Sequence, residues 1–174
     1  VKSIIGANKE VILSAGAIQS PQILQLSGVG PAKLLQEFNI PVVQDLPGVG
    51  ENLQDHLQHR LIYELNQPIS TNDQLSSWFG QLKMGLDWLL FRGGPLSIGI
   101  NQGGLFTSVM NDSKTPDIQF HLATLSAEMA GGKVHPFSGF TMSVCQLRPE
   151  SRGYVRIQSL DPLTPPKMFA NYLS

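Results

Sequence analysis

No stretch of this chain approaches the roughly 20 apolar residues that a membrane-spanning helix requires, so any membrane contact is expected to be peripheral. The first residues also lack the charged, apolar and small-residue order of a secretory signal, which points to a cytoplasmic parent. Cysteine is nearly absent. Cys145 stands alone, cannot form an internal disulfide, and lies in the apolar run from Phe140 to Leu147, where a buried, inert thiol is expected. Charge is sparse at 14%, with a net charge of −1 and twelve scattered Lys and Arg. Nothing offers a nucleic acid a basic stripe interleaved with aromatics. The four histidines show no His-x-x-x-His spacing and join no carboxylate cluster, so no metal is expected.

What is present suits a globular chain: 174 residues, 41% of them hydrophobic, can form one core with an appendage. Ile4-Ile5 and Val11 to Leu13 read as two short strands around Ala7-Asn8-Lys9, a hairpin too small to stand alone. Ser20 is placed to cap a helix with Pro21 at its first position, and Ser27-Gly28 to end it. A second helix runs from Pro31 to near Asn39, and Ile40 to Val43 reads as a strand. Beyond His56 the pattern changes. Leu57 to Leu65 alternates like a strand. Leu75, Trp78, Phe79, Leu82, Leu86, Leu89 and Leu90 share one face of a helix stopped by Gly93-Gly94-Pro95. Strands are expected at Gly104 to Val109, Asp117 to Leu125, Gly139 to Leu147 and Gly153 to Ser159. The fold class is therefore α+β, an antiparallel-rich sheet with a long helix.

Residues 16 to 30 read Gly-Ala-Ile-Gln-Ser-Pro-Gln-Ile-Leu-Gln-Leu-Ser-Gly-Val-Gly, led in by the apolar run Val11 to Ala15. This passage resembles the second signature of the glucose–methanol–choline (GMC) flavoprotein oxidoreductases. Pro47 to His56, Pro-Gly-Val-Gly-Glu-Asn-Leu-Gln-Asp-His, is similar to a segment those enzymes pack near the flavin. Arg148 to Ile157 resembles their Pro-x-Ser-Arg-Gly-x-Val hairpin, and Asp161-Pro162 and Asn171-Tyr172 fit its continuation. The resemblance implies an FAD enzyme that oxidises a primary alcohol, choline or a related one, to the aldehyde by hydride transfer to flavin. It also divides the chain. Residues 1–56 would be a remnant of the α/β FAD-binding domain, and 57–174 a substrate-binding domain incomplete at its C-terminus.

Two parts of that family's machinery are not found among these residues. Neither Gly28-Val29-Gly30 nor Gly48-Val49-Gly50 completes a Gly-x-Gly-x-x-Gly fingerprint, because Lys33 and Leu53 occupy the third glycine positions. The family's catalytic histidine segment is missing as well, so no catalytic residue is assigned here. The chain by itself is expected to hold no FAD and to be inactive. Residues 1 to 43, without their usual sheet partners, are expected to be disordered or covered by a second copy of the chain.

The resemblance places Ser14, Ala15, Gly16, Asn52, Asp55 and His56 beside the cofactor. Small residues at a strand's C-terminal end let a ring system approach the backbone. Asp55 and His56 are neighbours in sequence and point differently from one backbone, so they are not by themselves an acid–base dyad. For the substrate, Gly94-Pro95-Leu96 followed by Asn101-Gln102-Gly103-Gly104-Leu105 resembles a segment that often reads Glu-Ala-Gly-Gly-Phe, which sets Asn101 where a glutamate is common. A neutral amide there argues against a quaternary ammonium and for an uncharged alcohol. Asn101 can equally cap the turn before the next strand. In Asp117 to Leu122 the alternation sets Ile118, Phe120 and Leu122 on a core face and Gln119 and His121 on the other, lining a site or facing water. A reading from another class is a flavin-free binding or assembly module on the same sheet.

Overall fold

The computed structural model describes residues 3–110, 114–129 and 131–174. In chain order they form α1 (Gly16–Leu26), β1 (Val29–Gly30), α2 (Ala32–Glu37), β2 (Gln44–Asp45), β3 (Glu51–Leu53), β4 (Gln58–Glu64), α3 (Thr71–Leu75) and α4 (Trp78–Phe91). A 3-10 turn at Pro95–Ser97 leads to β5 (Asn101–Thr107), β6 (Ile118–Ala123), β7 (Gly139–Gln146), β8 (Gly153–Arg156) and β9 (Lys167–Phe169). The class is mixed α and β with antiparallel sheets, apart from the short parallel pair β1–β2. Two compact units result, Val1–Asp55 with Glu150–Ser174, and His56–Pro149.

The first unit is organised around α1, whose inward residues are amides. Gln25 is fully buried and donates from Nε2 to the carbonyls of Val155 (3.0 Å) and Val49 (3.2 Å), while its Oε1 accepts the Ile157 N–H at 2.9 Å. Gln22 donates to the Thr164 carbonyl at 2.8 Å. Gly28 closes the helix at φ 83°, where a side chain would collide with the Pro41 carbonyl and Val43. Asp45 on β2 accepts the Ala32 N–H at 2.9 Å and so caps α2 from across the unit. β8 lies between β3 and β9, and Arg156 there pairs with Glu51 at 2.9 Å while stacking over Tyr154.

The second unit is a four-stranded antiparallel sheet in the order β4-β7-β6-β5. Ser70 and Asp73 close a capping box at the start of α3. Hydrogen bonds from Ser138 and Ser70 hold the Asp73 carboxyl below its ordinary value, against a smaller opposing effect of burial. Asn72 is buried and clasps the segment 124–138: its amide lies within hydrogen-bond distance of Ser126, His135 and Phe137, and its Oδ1 accepts the Ser126 N–H at 3.0 Å.

Several expectations need correction. Residues 3–15 form no strand, because none of the described strands pairs with them, and Ile4, Ile5, Val11 and Ile12 are exposed. α1 starts at Gly16, not after Ser20, and Pro21 lies inside it. The Ser20 hydroxyl accepts the Ala15 N–H at 3.1 Å, satisfying a donor at the helix start. The strand expected at 40–43 is instead Gln44–Asp45, where β1 offers a partner. The single helix is two, separated at Ser76–Ser77, where Ser77 accepts the Gly80 N–H and starts α4 anew. The apolar face of α4 is not core: among its residues Met84 is buried, whereas Trp78, Phe79, Leu89 and Leu90 are exposed. Ile118, Phe120 and Leu122 do not form the best-buried face either. Burial is deepest on the opposite side, at Ala123, Thr141, Ser143 and Cys145, because segment 124–138 folds over it, with Thr141 donating to the Leu125 carbonyl. Finally, residues 150–174 group with the first unit rather than with 57–149, since β8 pairs with β3.

Candidate functional site

In the first unit a cleft of about 320 Å³ lies between α1 and the Val49 to Gln54 segment. Ala17, Ser20, Pro21 and Leu24 form one wall; Asn52, with its neighbours in that segment, and Val155 form the other. The two segments that sequence reasoning treated separately therefore share one cavity. Gly50 allows this approach. At φ 86° it sits where a side chain would collide with the Val155 carbonyl and the Gln25 amide. Asn52 is exposed and left-handed at φ 61°.

Ser14, Ala15 and Gly16 stand immediately before and at the first residue of α1, with Ser14 and Gly16 exposed and Ala15 half-buried. They are close in sequence to the cleft wall without lining it. A side chain added at Gly16 would meet nothing within 4 Å, so the backbone there is open to a planar ligand. Asp55 accepts a hydrogen bond from the Tyr172 hydroxyl, and that bond, with smaller contributions from burial and from the Asp55 charge, pushes the Tyr172 phenol above its ordinary value. His56 belongs to the second unit: its Nε2 lies 3.0 Å from the Leu147 carbonyl and its Nδ1 4.0 Å from the Cys145 sulfur. Asp55 and His56 thus have separate partners and form no dyad. Cys145 is 2% exposed, and burial raises its thiol pKa, the opposite of what an activated Cys–His pair requires.

The second unit holds a cavity of about 390 Å³ on the better-buried face of its sheet. Asn101 lines it from β5, Arg60 from β4, Thr141 and Ser143 from β7, and Met129 and Val134 from the clasped segment. Asn101 is exposed and lies at a register irregularity opposite Ala123. Gln119 and His121 are half-buried on the same face, paired with Cys145 and Ser143 in register, but they lie outside the cavity lining. Arg60 and Gln25 were missed as site residues. The alternation of Leu57 to Leu65 could have singled out Arg60, a lone cation on the face that also carries Gln58. No sequence signal distinguished Gln25, whose role depends on residues 130 positions away.

A family model described as GMC oxidoreductase matches residues 1–58, the part that contains α1 and every lining residue of the first cleft except Val155. The oxygen-dependent choline dehydrogenase of Escherichia coli is 46% identical over 168 residues, 97% of this chain and 30% of that protein. The chain resembles the GMC oxidoreductases. Another such relative, the oxygen-dependent choline dehydrogenase of Cronobacter sakazakii, is 45% identical over 98% of the chain, again 30% of its own length. The chain therefore spans about 30% of the length of the curated relatives it matches. Among solved structures, formate oxidase superposes with a TM-score of 0.83 at 22% identity, covering 95% of the chain and 33% of that structure. Pyridoxine 4-oxidase gives 0.67 at 22% identity over 91% of the chain and 27% of that structure. At these identities the likeness concerns fold alone.

Proposed function

We propose that the whole protein is a flavoprotein that oxidises the CH–OH group of a primary alcohol to the aldehyde. The observation that carries this reading is the cleft in which the signature helix α1 meets the Val49 to Gln54 segment. When bound there, FAD would supply the hydride acceptor. Ser14, Ala15, Gly16, Asn52 and Asp55 are the first-unit residues we assign to holding it; His56, which the resemblance groups with them, lies in the second unit. The open backbone at Gly16 and the exposed Asn52 fit such a ligand. In this reading residues 1–56 are the flavin-binding portion, and the substrate-binding role expected of 57–174 falls on residues up to Pro149. Asn101 binds and orients the alcohol through its amide, and Gln119 and His121 are assigned to the same sheet face beside its cavity.

The preferred alcohol in this reading carries no positive charge. Asn101 is an amide, and no Asp or Glu lines its cavity among the described residues. Burying a trimethylammonium group without a carboxylate forgoes ~1 to 3 kcal/mol, roughly a 5- to 150-fold loss in affinity. Choline is therefore expected to be a poor substrate beside 3,3-dimethylbutan-1-ol, its neutral isostere, and Asn101→Glu should shift the preference toward the cation. Flavin absorbance of the full-length protein, with kcat/KM for both alcohols on parent and variant, tests the proposal. A colourless protein defeats the flavin assignment. A strong choline preference in the parent, or a ratio unmoved by the substitution, defeats the role of Asn101.

A further inference from the structure

We propose that Arg60 is a specificity-determining residue, and that the second-unit cavity receives an alcohol carrying a carboxylate at the end remote from its hydroxyl. Arg60 lies on β4 opposite Ser143 of β7, and both line the cavity with Asn101 and Thr141. Arg60 is half-buried as a residue, and its guanidinium makes one hydrogen bond among the described residues, an exposed one from Nη1 to the Glu128 carbonyl at 3.3 Å. The ion pairs among the described residues are His135–Glu128 and Arg156–Glu51, so the carboxylate nearest in sequence to that contact is engaged with His135 and Arg60 is in neither pair. Arg60 is the one cation among the described lining residues, and none of them is an anion.

A guanidinium presents five donors in a planar fork that matches a carboxylate, and here most of them are unused. One cation suits a monoanion; a phosphate monoester, near two charges, would remain half-neutralised. The remaining lining explains the rest of the ligand. Met129, Val134 and the neighbouring apolar residues suit an alkyl chain, and Asn101 and Thr141 offer neutral partners for a hydroxyl.

This inference rests on the alcohol-oxidising reading for its chemistry but not for its binding, and the two can fail separately. Binding is measured on the 174-residue chain by calorimetry with hexanoate and hexanamide, which have similar shape and differ in charge. Hexanoate is expected to bind roughly 10- to 100-fold more tightly, and Arg60→Gln should remove the difference while leaving hexanamide within a few-fold. Arg60→Lys, which keeps the charge and loses the fork, should retain part of it. Raising salt on the unaltered chain should weaken hexanoate and not hexanamide. On the full-length protein, the same ratio is expected in kcat/KM for 6-hydroxyhexanoate against 6-hydroxyhexanamide. Equal affinities in the unaltered chain, or an equal loss for both ligands in Arg60→Gln, overturn the proposal and leave Arg60 as a brace for the Glu128 carbonyl. Charge-dependent binding without any alcohol oxidation by the full-length protein would sustain Arg60 and defeat the enzymatic reading instead.

Discussion

At the scale of single residues, the first unit depends on side chains that imitate backbone. Gln25 meets two carbonyls and one N–H in a place no water reaches, so replacing it with a hydrocarbon leaves three peptide groups unpaired. Gln25→Leu is expected to cost about 2 to 4 kcal/mol, seen as a lower urea midpoint with little change in slope. A variant with an unchanged midpoint would mean that the Val49 and Val155 carbonyls find other donors. This residue also shows what one sequence can hide. Its identity was visible inside the signature, but its role depends on Val155 and Ile157 arriving from the far end of the chain. Cys145 was readable for the opposite reason. A lone thiol in an apolar run has one plausible place, and it is buried there.

Among the elements, those set by local chemistry were legible and those set by a partner were not. β4, β6 and β7 stand within a residue or two of the runs that predicted them, because alternation and flanking turn residues act locally. β3 and β9, three residues each, carry no pattern of their own and exist because β8 lies between them. The N-terminal hairpin failed by the same rule: apolar residues with no pairing strand among the described residues made no strand. The clasp between α3 and segment 124–138 is likewise a partnership. Asn72→Ala is expected to destabilise the second unit by about 2 to 4 kcal/mol and to speed amide exchange at Ser126 and His135, whose N–H groups bond to Asn72 and to the Ser126 carbonyl. Unaltered exchange at those two amides would assign the order of the segment to its packing alone. The candidate site divides in the same way. Asn52 and Asn101 were singled out through the segments around them, and each lines a cavity, whereas the cavity of Asn101 depends on β4, β5 and β7 together.

For the whole molecule, the apolar surface left open is large. Trp78, Phe79, Leu89, Leu90 and Phe91 on α4 are each more than half exposed, as is Leu105 on the sheet. A chain of this composition is expected to self-associate in isolation, so that light scattering at micromolar concentration reports dimers or larger species. Leu89→Lys with Leu90→Glu should return it toward monomer, and a strictly monomeric unaltered chain would contradict this. Another whole-molecule feature concerns connectivity. The path leaves the first unit after Asp55 and re-enters at Glu150, and the strands at that doorway, β3 and β8, are register partners through Leu53 and Gly153. In topological terms, residues 56–149 are a guest inserted into a host whose strand pair closes behind it. Such an insertion can lengthen, shrink or be exchanged at a cost that grows only with the logarithm of loop length. A lineage could thereby acquire a new range of substrates by replacing the guest, while every hydrogen bond that Gln25 makes in the host stayed as it was.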